Sequence, residues 1–354
     1  MNMNYKWKLE DGYPQKNGYK VFSCFACGGG STMGYKLAGF DVVGMNEIDP
    51  RMAKAYINNH NPKYSFIEPI QDFKNRVDIP DELYNLDILD GSPPCSSFSM
   101  AGVRDRDWGK EKKFKEGQAE QVLDTLFFDF IDLAKKLQPK VVVSENVKGM
   151  LLGEAKQYVR EVYDQFDEAG YYTQHWLLNG ADMGVPQRRE RVFFISFRKD
   201  LAEKFLIQKD MFTLVPAINM EFNESWIKYK EFKTGGVGRQ LTATTLELWE
   251  KRKPGDIDLG DVNMRENGKE ARFGCKFIFE DETPKTLPAG DDAVPILFDS
   301  PHRICDDEIS MMSSFPIDYD YSGNKSNYIC GMSVPPLMIG KIAQRIKEQW
   351  LEKL

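Results

Sequence analysis

Residues 20–30 read KVFSCFACGGG, an apolar run followed by a glycine turn, and this stretch decides the fold. The run predicts a buried strand over Lys20–Phe25, and Ser31 and Thr32 open a helix after the turn. Glycines between a first strand and a first helix let a nucleotide-like ligand approach the backbone at the carboxyl edge of a sheet. Such glycines also serve tight helix–strand packing alone, so a cofactor turn is one of two interpretations.

Further apolar runs alternate with helical patterns up to about residue 200. The runs predict strands over Phe40–Asn46, Leu86–Asp90, Lys140–Glu145, Thr173–Asn179 and Arg191–Phe197. The clearest helical pattern lies over Gln118–Leu137, where apolar residues recur on one face. Strands that alternate with helices indicate a largely parallel α/β sheet whose two faces are both covered by helices.

This alternation is lost after about residue 204. Gly and Pro are scattered through residues 206–300 and the apolar spacing is irregular, which predicts a smaller, mostly β domain with many loops. Val334–Leu354 is again an amphipathic helical pattern, which we expect to return to the first domain. The expected domains are an N-terminal extension over 1–18, a larger domain over 19–205 and 301–354, and the smaller domain over 206–300.

Size and composition restrict the class of protein. A chain of 354 residues can form two domains with a sizeable core. Its formal net charge of −7 gives no evidence of bulk attraction to nucleic acid, although a locally basic cleft fits on an acidic body. Six cysteines over this length do not indicate a disulfide framework. Because there is no membrane-length apolar run and no signal-like start, we expect a reduced, cytoplasmic protein.

A rigid cysteine follows the third predicted strand, in Ser92-Pro93-Pro94-Cys95. Each proline fixes its own φ and restricts the residue before it, so the Cys95 side chain is held in one direction, as a nucleophile requires. A buried structural cysteine on a rigid turn explains the same tetrapeptide.

Acidic and amide residues follow two other predicted strands. Glu47 stands where a ribose diol would be hydrogen-bonded, or is a surface carboxylate. Glu145 and Asn146 follow a strand of the same sheet, so we expect them to point into the same crevice as Cys95. The alternative for Asn146 is that it caps the helix that follows.

Two patterns remain open to a functional or a structural explanation. Gln187, Arg189 and Arg191 would share one face of an extended strand, where two guanidinium groups either pin a carboxylate or form a solvated surface. Cys24 and Cys27 form a Cys-x-x-Cys pair, but no second pair and no nearby histidine completes a metal site, so we expect no metal.

In this order, the motifs resemble those of the cytosine-5 DNA methyltransferase family. The matching stretches are Phe25–Gly30, Glu47, Gln71-Asp72-Phe73, Pro93-Pro94-Cys95, Glu145-Asn146-Val147, Gln187-x-Arg189-x-Arg191, Arg303 with Glu308 and Phe315-Pro316, and Gly331–Pro336. They cover nearly all of 19–200 and 301–354, and 206–300 falls where the family carries its variable target-recognition domain. Cys27, Ser96 and Met332 depart from a usual glycine, glutamine and asparagine.

The resemblance implies a Rossmann-like methyltransferase sheet, S-adenosyl-L-methionine as cofactor, and a flipped-out cytosine of double-stranded DNA as substrate. It implies that Cys95 adds to C6 of the ring while Glu145 holds N3 and the exocyclic amine. Arg191, and secondarily Arg189, would position Glu145 and bind the ring oxygen. The residues expected around the cofactor are Phe25, Cys27, Gly28, Gly29, Gly30, Glu47, Ile48, Asp72, Pro94, Leu126, Ser333 and Val334.

The same resemblance bears on partners and alternatives. Residues 96–117 carry three glycines and several Lys and Arg residues, which predicts a mobile lid over the flipped base or, alternatively, a charged surface loop. We expect a monomer on DNA and no membrane. Two alternatives stay open for the companion: a cognate restriction endonuclease that acts on the same site, or none, as for an orphan enzyme. An RNA methyltransferase would carry the Cys-Phe-Thr signature of the tRNA branch, which is absent. A non-catalytic relative would lack Cys95 or Glu145, and an NAD dehydrogenase would not explain that pair.

Overall fold

The computed structural model describes residues 3–94, 111–112, 121–122, 125–153, 155–208, 214–271, 274–290 and 293–354. The chain divides into two compact units. The sheet unit consists of Tyr13–Leu178, Glu190–Glu221 and Ile339–Leu354, and the accessory unit of Met1–Gly12, Asn179–Arg189 and Phe222–Met338. No helix of the described ranges is long and apolar enough to cross a membrane.

A seven-stranded sheet organises the sheet unit. In chain order its strands are β1 Lys20–Cys24, β2 Asp41–Asn46, β3 Tyr64–Phe66, β4 Ile88–Gly91, β5 Val141–Val147, β6 Tyr171–Asn179 and β7 Glu190–Arg198. Their spatial order is β3-β2-β1-β4-β5-β7-β6. The strands from β3 to β5 run parallel, and β7 pairs antiparallel with β5. The prediction of a largely parallel α/β sheet is confirmed.

Helices of the described residues follow the strands. They are α1 Gly30–Leu37, α2 Pro50–His60, α3 Ile70–Asn75, α4 Leu126–Leu137, α5 Ala155–Glu168, α6 Lys199–Ala202, α7 Ala243–Glu250, α8 Leu259–Asn267, α9 Asp306–Met312, α10 Ser326–Met332 and α11 Pro336–Gln349. Local chemistry fixes their starts. Asp49, for example, accepts the Arg51 N–H at 2.9 Å and is followed by Pro50, a residue suited to the first turn.

Both faces of the sheet are buried against helices. On one face, Phe22 of β1 and Val142 of β5 pack with Phe130 of α4 and Val162 of α5, all fully buried. Burial of each such side chain is worth about 1.5–3 kcal/mol. A second cluster contains Met45 of β2 with Ala53 and Tyr56 of α2. These two layers hold β1, β2, β4 and β5 with their carboxyl ends at one edge.

The helix expected over Gln118–Leu137 begins later than predicted. Gln121–Val122 instead pairs antiparallel with Glu111–Lys112, and the helix starts at Leu126. Backbone pairing with Glu111–Lys112 therefore overrides the local helical periodicity at this end.

The region expected to be mostly β is richer in helix in its described part. In the accessory unit, α7 and α8 contribute Leu248, Leu259 and Val262 to a core with Phe277 and Ile296. The strands there are two-residue segments, Phe277–Ile278 paired with Ile296–Leu297. The sheet unit carries a short pair, Leu206–Gln208 with Leu214–Pro216. The expectation of a mostly β region is wrong.

Sequence signals for α8 do exist. The Asp258 carboxylate accepts N–H groups of Gly260 and Asp261, which caps the helix start. Gly268, with φ +62°, ends the helix in the left-handed conformation. The observed unit boundaries also differ from the expected domain limits, because residues 301–338 belong to the accessory unit together with residues 222–300.

Candidate active site and cofactor turn

The turn after β1 is built from left-handed backbone. Phe25, Cys27 and Gly29 have φ of 52°, 47° and 79°. At Gly29 an added Cβ would lie 2.2 Å from Nε2 of the buried His60, so both conformation and space require glycine. Cys27 takes the same conformation with a side chain, at a cost of about 1–2 kcal/mol, which explains why glycine suits this position.

Glu47 fastens this turn to the end of β2. One carboxylate oxygen accepts the Cys27 N–H at 2.7 Å, and the other accepts the Asp49 N–H at 2.8 Å. The side chain is buried, and burial raises the pKa of Glu47 while the backbone hydrogen bonds oppose the rise. The predicted acid at the end of the second strand therefore lies against the glycine turn.

This set of groups fits a nucleoside-containing cofactor. The two Glu47 oxygens keep lone pairs beyond the backbone N–H groups they accept, as hydrogen bonding to a ribose diol requires. Phe25 is half-buried, with its ring centroid 6.2 Å from that of Phe130, and offers an aromatic surface beside the turn. Ile48, the next residue after Glu47, is also half-buried.

The other expected cofactor residues occupy varied environments. Gly28 and Gly30 are buried in the turn and at the start of α1, whereas Asp72 and Pro94 are exposed. Leu126 is 1 % exposed within the apolar core of the sheet unit. Ser333 and Val334 are buried in the accessory unit, where the Ser333 Oγ has no hydrogen-bond partner among the described residues.

A carboxylate and a guanidinium meet on neighbouring strands β5 and β7. Arg191 Nε lies 2.9 Å from Glu145 Oε1, and the two side chains are 14 % and 12 % exposed. Val147 pairs with Arg191 and Glu145 with Phe193 in the antiparallel register, so Glu145 and Arg191 are diagonal neighbours on one face. Burial lowers the pKa of Arg191, and the adjacent carboxylate opposes that shift. Arg191 also donates through Nη1 to the Glu190 carbonyl.

Asn146 connects this strand to the segment that precedes Cys95. Its amide Nδ2 donates to the Pro93 carbonyl at 3.1 Å, and its Oδ1 accepts the Val147 N–H at 2.8 Å. The short helix that follows has Val147 as its N-cap residue, so the alternative that Asn146 caps a helix is wrong. Cys95 itself, and nearly all of the segment 96–117, lie outside the described residues.

The C-5 cytosine-specific DNA methylase family model matches residues 19–348. The chain belongs to this family. Type II methyltransferase M.NgoPII of Neisseria gonorrhoeae is 38 % identical over 194 residues, 54 % of this chain and 52 % of that protein. Type II methyltransferase M.FnuDI of Fusobacterium nucleatum is 37 % identical over 182 residues, 51 % of this chain and 48 % of that protein. The chain thus spans about half the length of these relatives.

Longer alignments are more distant. Type II methyltransferase M.MthTI of Methanothermobacter thermautotrophicus is 26 % identical over 352 residues, which cover 93 % of this chain and 97 % of that protein. Among solved structures, a putative DNA modification methyltransferase encoded within an E. coli prophage has a TM-score of 0.64 at 20 % identity, covering 94 % of this chain and 99 % of that one. Spodoptera frugiperda DNMT2 has a TM-score of 0.60 at 16 % identity, covering 94 % and 100 %. Both show the shared methyltransferase fold.

In this member of the C-5 cytosine methylase family, the three alternating residues before and in β7 do not share one strand face. The strand begins at Glu190, so Gln187 and Arg189 precede it and belong to the accessory unit. Arg189 is 2 % exposed, and its Nη2 donates to the carbonyls of Gly331 and Ser333 at 2.9 and 3.0 Å. The expected shared face is wrong because the alternation of a strand does not extend before its first residue.

Gln187 is fully buried and, like Arg189, forms hydrogen bonds with backbone groups of the accessory unit. Its Nε2 donates to the Met312 carbonyl at 3.2 Å, and its Oε1 accepts the Leu287 N–H at 3.1 Å. Both side chains therefore tie together backbone of the accessory unit.

Sequence reasoning missed two buried polar residues. His60, whose pKa is lowered by burial to about 3, fills the space beside Gly29. Asp90 is buried in β4 and accepts a hydrogen bond from Ser23. A signal for Asp90 was present, since a carboxylate interrupts the apolar run Ile88–Leu89 directly before Gly91.

Proposed function

We propose that this chain is a DNA cytosine-5 methyltransferase that uses S-adenosyl-L-methionine and acts on a flipped-out cytosine in a short DNA sequence. One observation carries the proposal. The Glu145–Arg191 pair lies on β5 and β7, and the next residue, Asn146, is bonded to Pro93, two residues before Cys95. A carboxylate on β5 and a thiol that follows Pro93 by two residues can then serve one ring.

The chain's own residues have distinct roles in this reaction. The Cys95 thiolate adds to C6 of the cytosine, which forms a C–S bond and moves electron density to C5. Glu145 binds N3 and the exocyclic amine, and its protonated form stabilises the adduct. Bound S-adenosyl-L-methionine supplies an electrophilic methyl group to C5. Loss of the C5 proton and cleavage of the C–S bond then release methylated cytosine and the thiolate.

Arg191 is proposed as the positioning residue of Glu145. The guanidinium holds one carboxylate oxygen through Nε, so the other oxygen can turn toward the base. Arg189, by contrast, is assigned to holding backbone of the accessory unit rather than to the ring oxygen of cytosine. Glu47 and Phe25 would bind the ribose and adenine parts of the cofactor, and residues 206–300 would read the DNA sequence.

The experiment is bisulfite sequencing of DNA and of tRNA from cells that express this chain. The expected result is that cytosines in one short DNA motif are protected, and that Cys95→Ala and Glu145→Gln abolish this protection. Protection in tRNA alone would favour an RNA methyltransferase, and protection that survives Cys95→Ala would overturn the assigned nucleophile.

A matched cysteine variant controls for general damage. Cys305 is half-buried and belongs to the accessory unit, so Cys305→Ser should keep DNA protection. The relatives M.FnuDI and M.NgoPII are Type II methyltransferases, which supports a restriction endonuclease of the same specificity as a companion. Resistance of the host DNA to one endonuclease would identify that specificity.

A further inference from the structure

A buried carboxylate contacts the elements on both sides of the cofactor turn, and the reaction above does not use it. Asp90 of β4 is 2 % exposed. Ser23 Oγ of β1 donates to one of its oxygens at 2.9 Å, and Tyr35 Oη of α1 donates to the other at 3.2 Å. The Ser31 side chain, in the first turn of α1, also faces this carboxylate. Two hydroxyl groups therefore bond the carboxylate, one from each side of the turn.

The positions of these residues in the chain show which elements the Asp90 carboxylate connects. Ser23 immediately precedes the last residue of β1, and Ser31 is the second residue of α1, so together they bracket the turn. Asp90 pairs with Ser23 in the sheet register and precedes Cys95 by five residues. One side chain thus links both ends of the cofactor turn to the strand that leads to the nucleophile.

The surroundings leave this carboxylate without a countercharge. Among the described residues, no Lys, Arg or His forms an ion pair with Asp90, and its hydrogen-bond donors are hydroxyl groups. The titratable groups that face it are Cys24 on β1, Tyr35 on α1, Tyr56 on α2 and Glu145 on β5. Burial raises the pKa of Asp90 to about 7, the hydroxyl donors oppose the rise, and the charge of Glu145 adds to it.

We propose that ionised Asp90 is a positioning residue that holds the cofactor turn in its binding conformation, an inference that rests on the proposed S-adenosyl-L-methionine site. An ionised carboxylate accepts from the Ser23 and Tyr35 hydroxyl groups on both oxygens, whereas the protonated acid uses one oxygen as a donor. Deprotonation therefore tightens the link between β1, α1 and β4. Cofactor affinity rises with pH as Asp90 ionises, and by linkage binding releases a proton near neutral pH.

The experiment is calorimetric titration of the full chain with S-adenosyl-L-methionine from about pH 5 to about pH 9, in buffers of different ionisation enthalpy. For the natural protein we expect affinity to rise about tenfold with a midpoint near the Asp90 pKa, and about half a proton to be released on binding at that midpoint. For Asp90→Asn we expect affinity about three- to tenfold weaker at the alkaline end, with no midpoint and no proton release.

Two further variants make the result specific. Asp87→Asn is the matched control, because Asp87 precedes the same strand but is ion-paired with Lys140 at 2.8 Å. In this variant, cofactor affinity should still rise with pH at the same midpoint as in the natural protein. Ser23→Ala removes one hydrogen-bond donor to Asp90 and should move the midpoint of the affinity change to higher pH. This variant tests the proposal if Asp90→Asn does not fold. If Asp90→Asn keeps the midpoint and the proton release, the proposal is overturned while the cofactor site stands. If the natural protein binds no cofactor at any pH, the proposed function fails as well.

Discussion

Glu145 and Arg191 illustrate how two nearly buried charges are kept together by backbone register. Their strands are antiparallel, and diagonal neighbours on one face lie within reach of long side chains. Removing one partner would leave a charge buried without compensation, which typically costs about 3–5 kcal/mol. The pair is therefore better tested by changes that keep the charge and alter only the geometry.

Arg191→Lys keeps a cation but loses the planar guanidinium that holds Glu145 through Nε. We expect kcat for methyl transfer to fall about 10- to 100-fold, because a misplaced Glu145 no longer meets the base, while DNA affinity changes little. Radiolabelled methyl transfer and fluorescence anisotropy measure the two quantities. Arg198→Lys is the control, since Arg198 lies on the same strand as Arg191 and its Nε bonds Asp200 of α6 at 2.8 Å. Equal losses in both variants would contradict the role of Arg191.

Gly29→Ala should destabilise the sheet unit by more than the cost of placing alanine in the left-handed conformation. The conformation costs about 1–2 kcal/mol, and the clash of the new Cβ with His60 adds about 1–3 kcal/mol. Urea denaturation measures the sum. Gly170→Ala is the control, because Gly170 has φ +94° and nothing within 4 Å of an added Cβ. Similar losses for both variants would show that the contact with His60 does not matter.

Among strands and helices, the sequence predicts the elements that are uniformly buried. It misses those that depend on contacts with residues far away in the chain. β1, β4 and β5 are apolar runs covered on both faces, so their periodicity is visible. β3 consists of three residues that are half-buried or exposed, and it is defined only by pairing with β2. α8 carries its own cap signals, Asp258 and Gly268, but its apolar residues alone do not distinguish it from irregular chain.

In the accessory unit, one carboxylate fixes the start of α9 to a neighbouring loop. Glu308 is 1 % exposed; its oxygens accept hydrogen bonds from the Tyr229 hydroxyl, from the N–H and hydroxyl of Thr234, and from the Cys305 N–H. Two of these donors, Tyr229 and Thr234, lie in a stretch more than 70 positions before Glu308, and the third, Cys305, is the N-cap of α9. The loop after Thr234 is therefore anchored by a helix residue rather than by its own sequence.

Glu308→Gln should lower the free energy of unfolding by about 2 kcal/mol, since the amide replaces an acceptor oxygen by a donor and leaves buried groups unsatisfied. We also expect faster proteolytic cleavage in the loop after Thr234. Urea denaturation and timed digestion provide the measurements. Glu280→Gln is the matched control, as Glu280 pairs with Lys233 at the surface and should change stability by less than about 0.5 kcal/mol. Unchanged cleavage in Glu308→Gln would refute the anchoring role.

For the complete chain, some residues of the candidate site could be predicted from the sequence and others could not. Glu47 follows β2 and Glu145 lies near the carboxyl end of β5, and the parallel sheet brings such positions to one edge, so their sequence positions were informative. The partners of Arg189 were not, because they are backbone carbonyls of residues 98–144 positions away in the chain. Asp90 was overlooked because its role depends on hydroxyl groups that only the fold brings together.

Asp90 also makes overall stability depend on pH. Its pKa is about 7 in the folded chain against an ordinary value of 3.8, so folding favours the protonated form. The resulting stabilisation is fully present below about pH 4 and is lost as pH rises to about 7, by up to about 4 kcal/mol.

Asp90→Asn removes this titration. As pH rises over that range, the variant should therefore become more stable relative to the natural protein. Urea denaturation at several pH values measures the difference, and Ser23→Ala should extend the loss to higher pH, because its hydroxyl opposes the raised pKa of Asp90. Parallel stability curves for the natural protein and Asp90→Asn between about pH 4 and about pH 8 would show that this carboxylate does not titrate there.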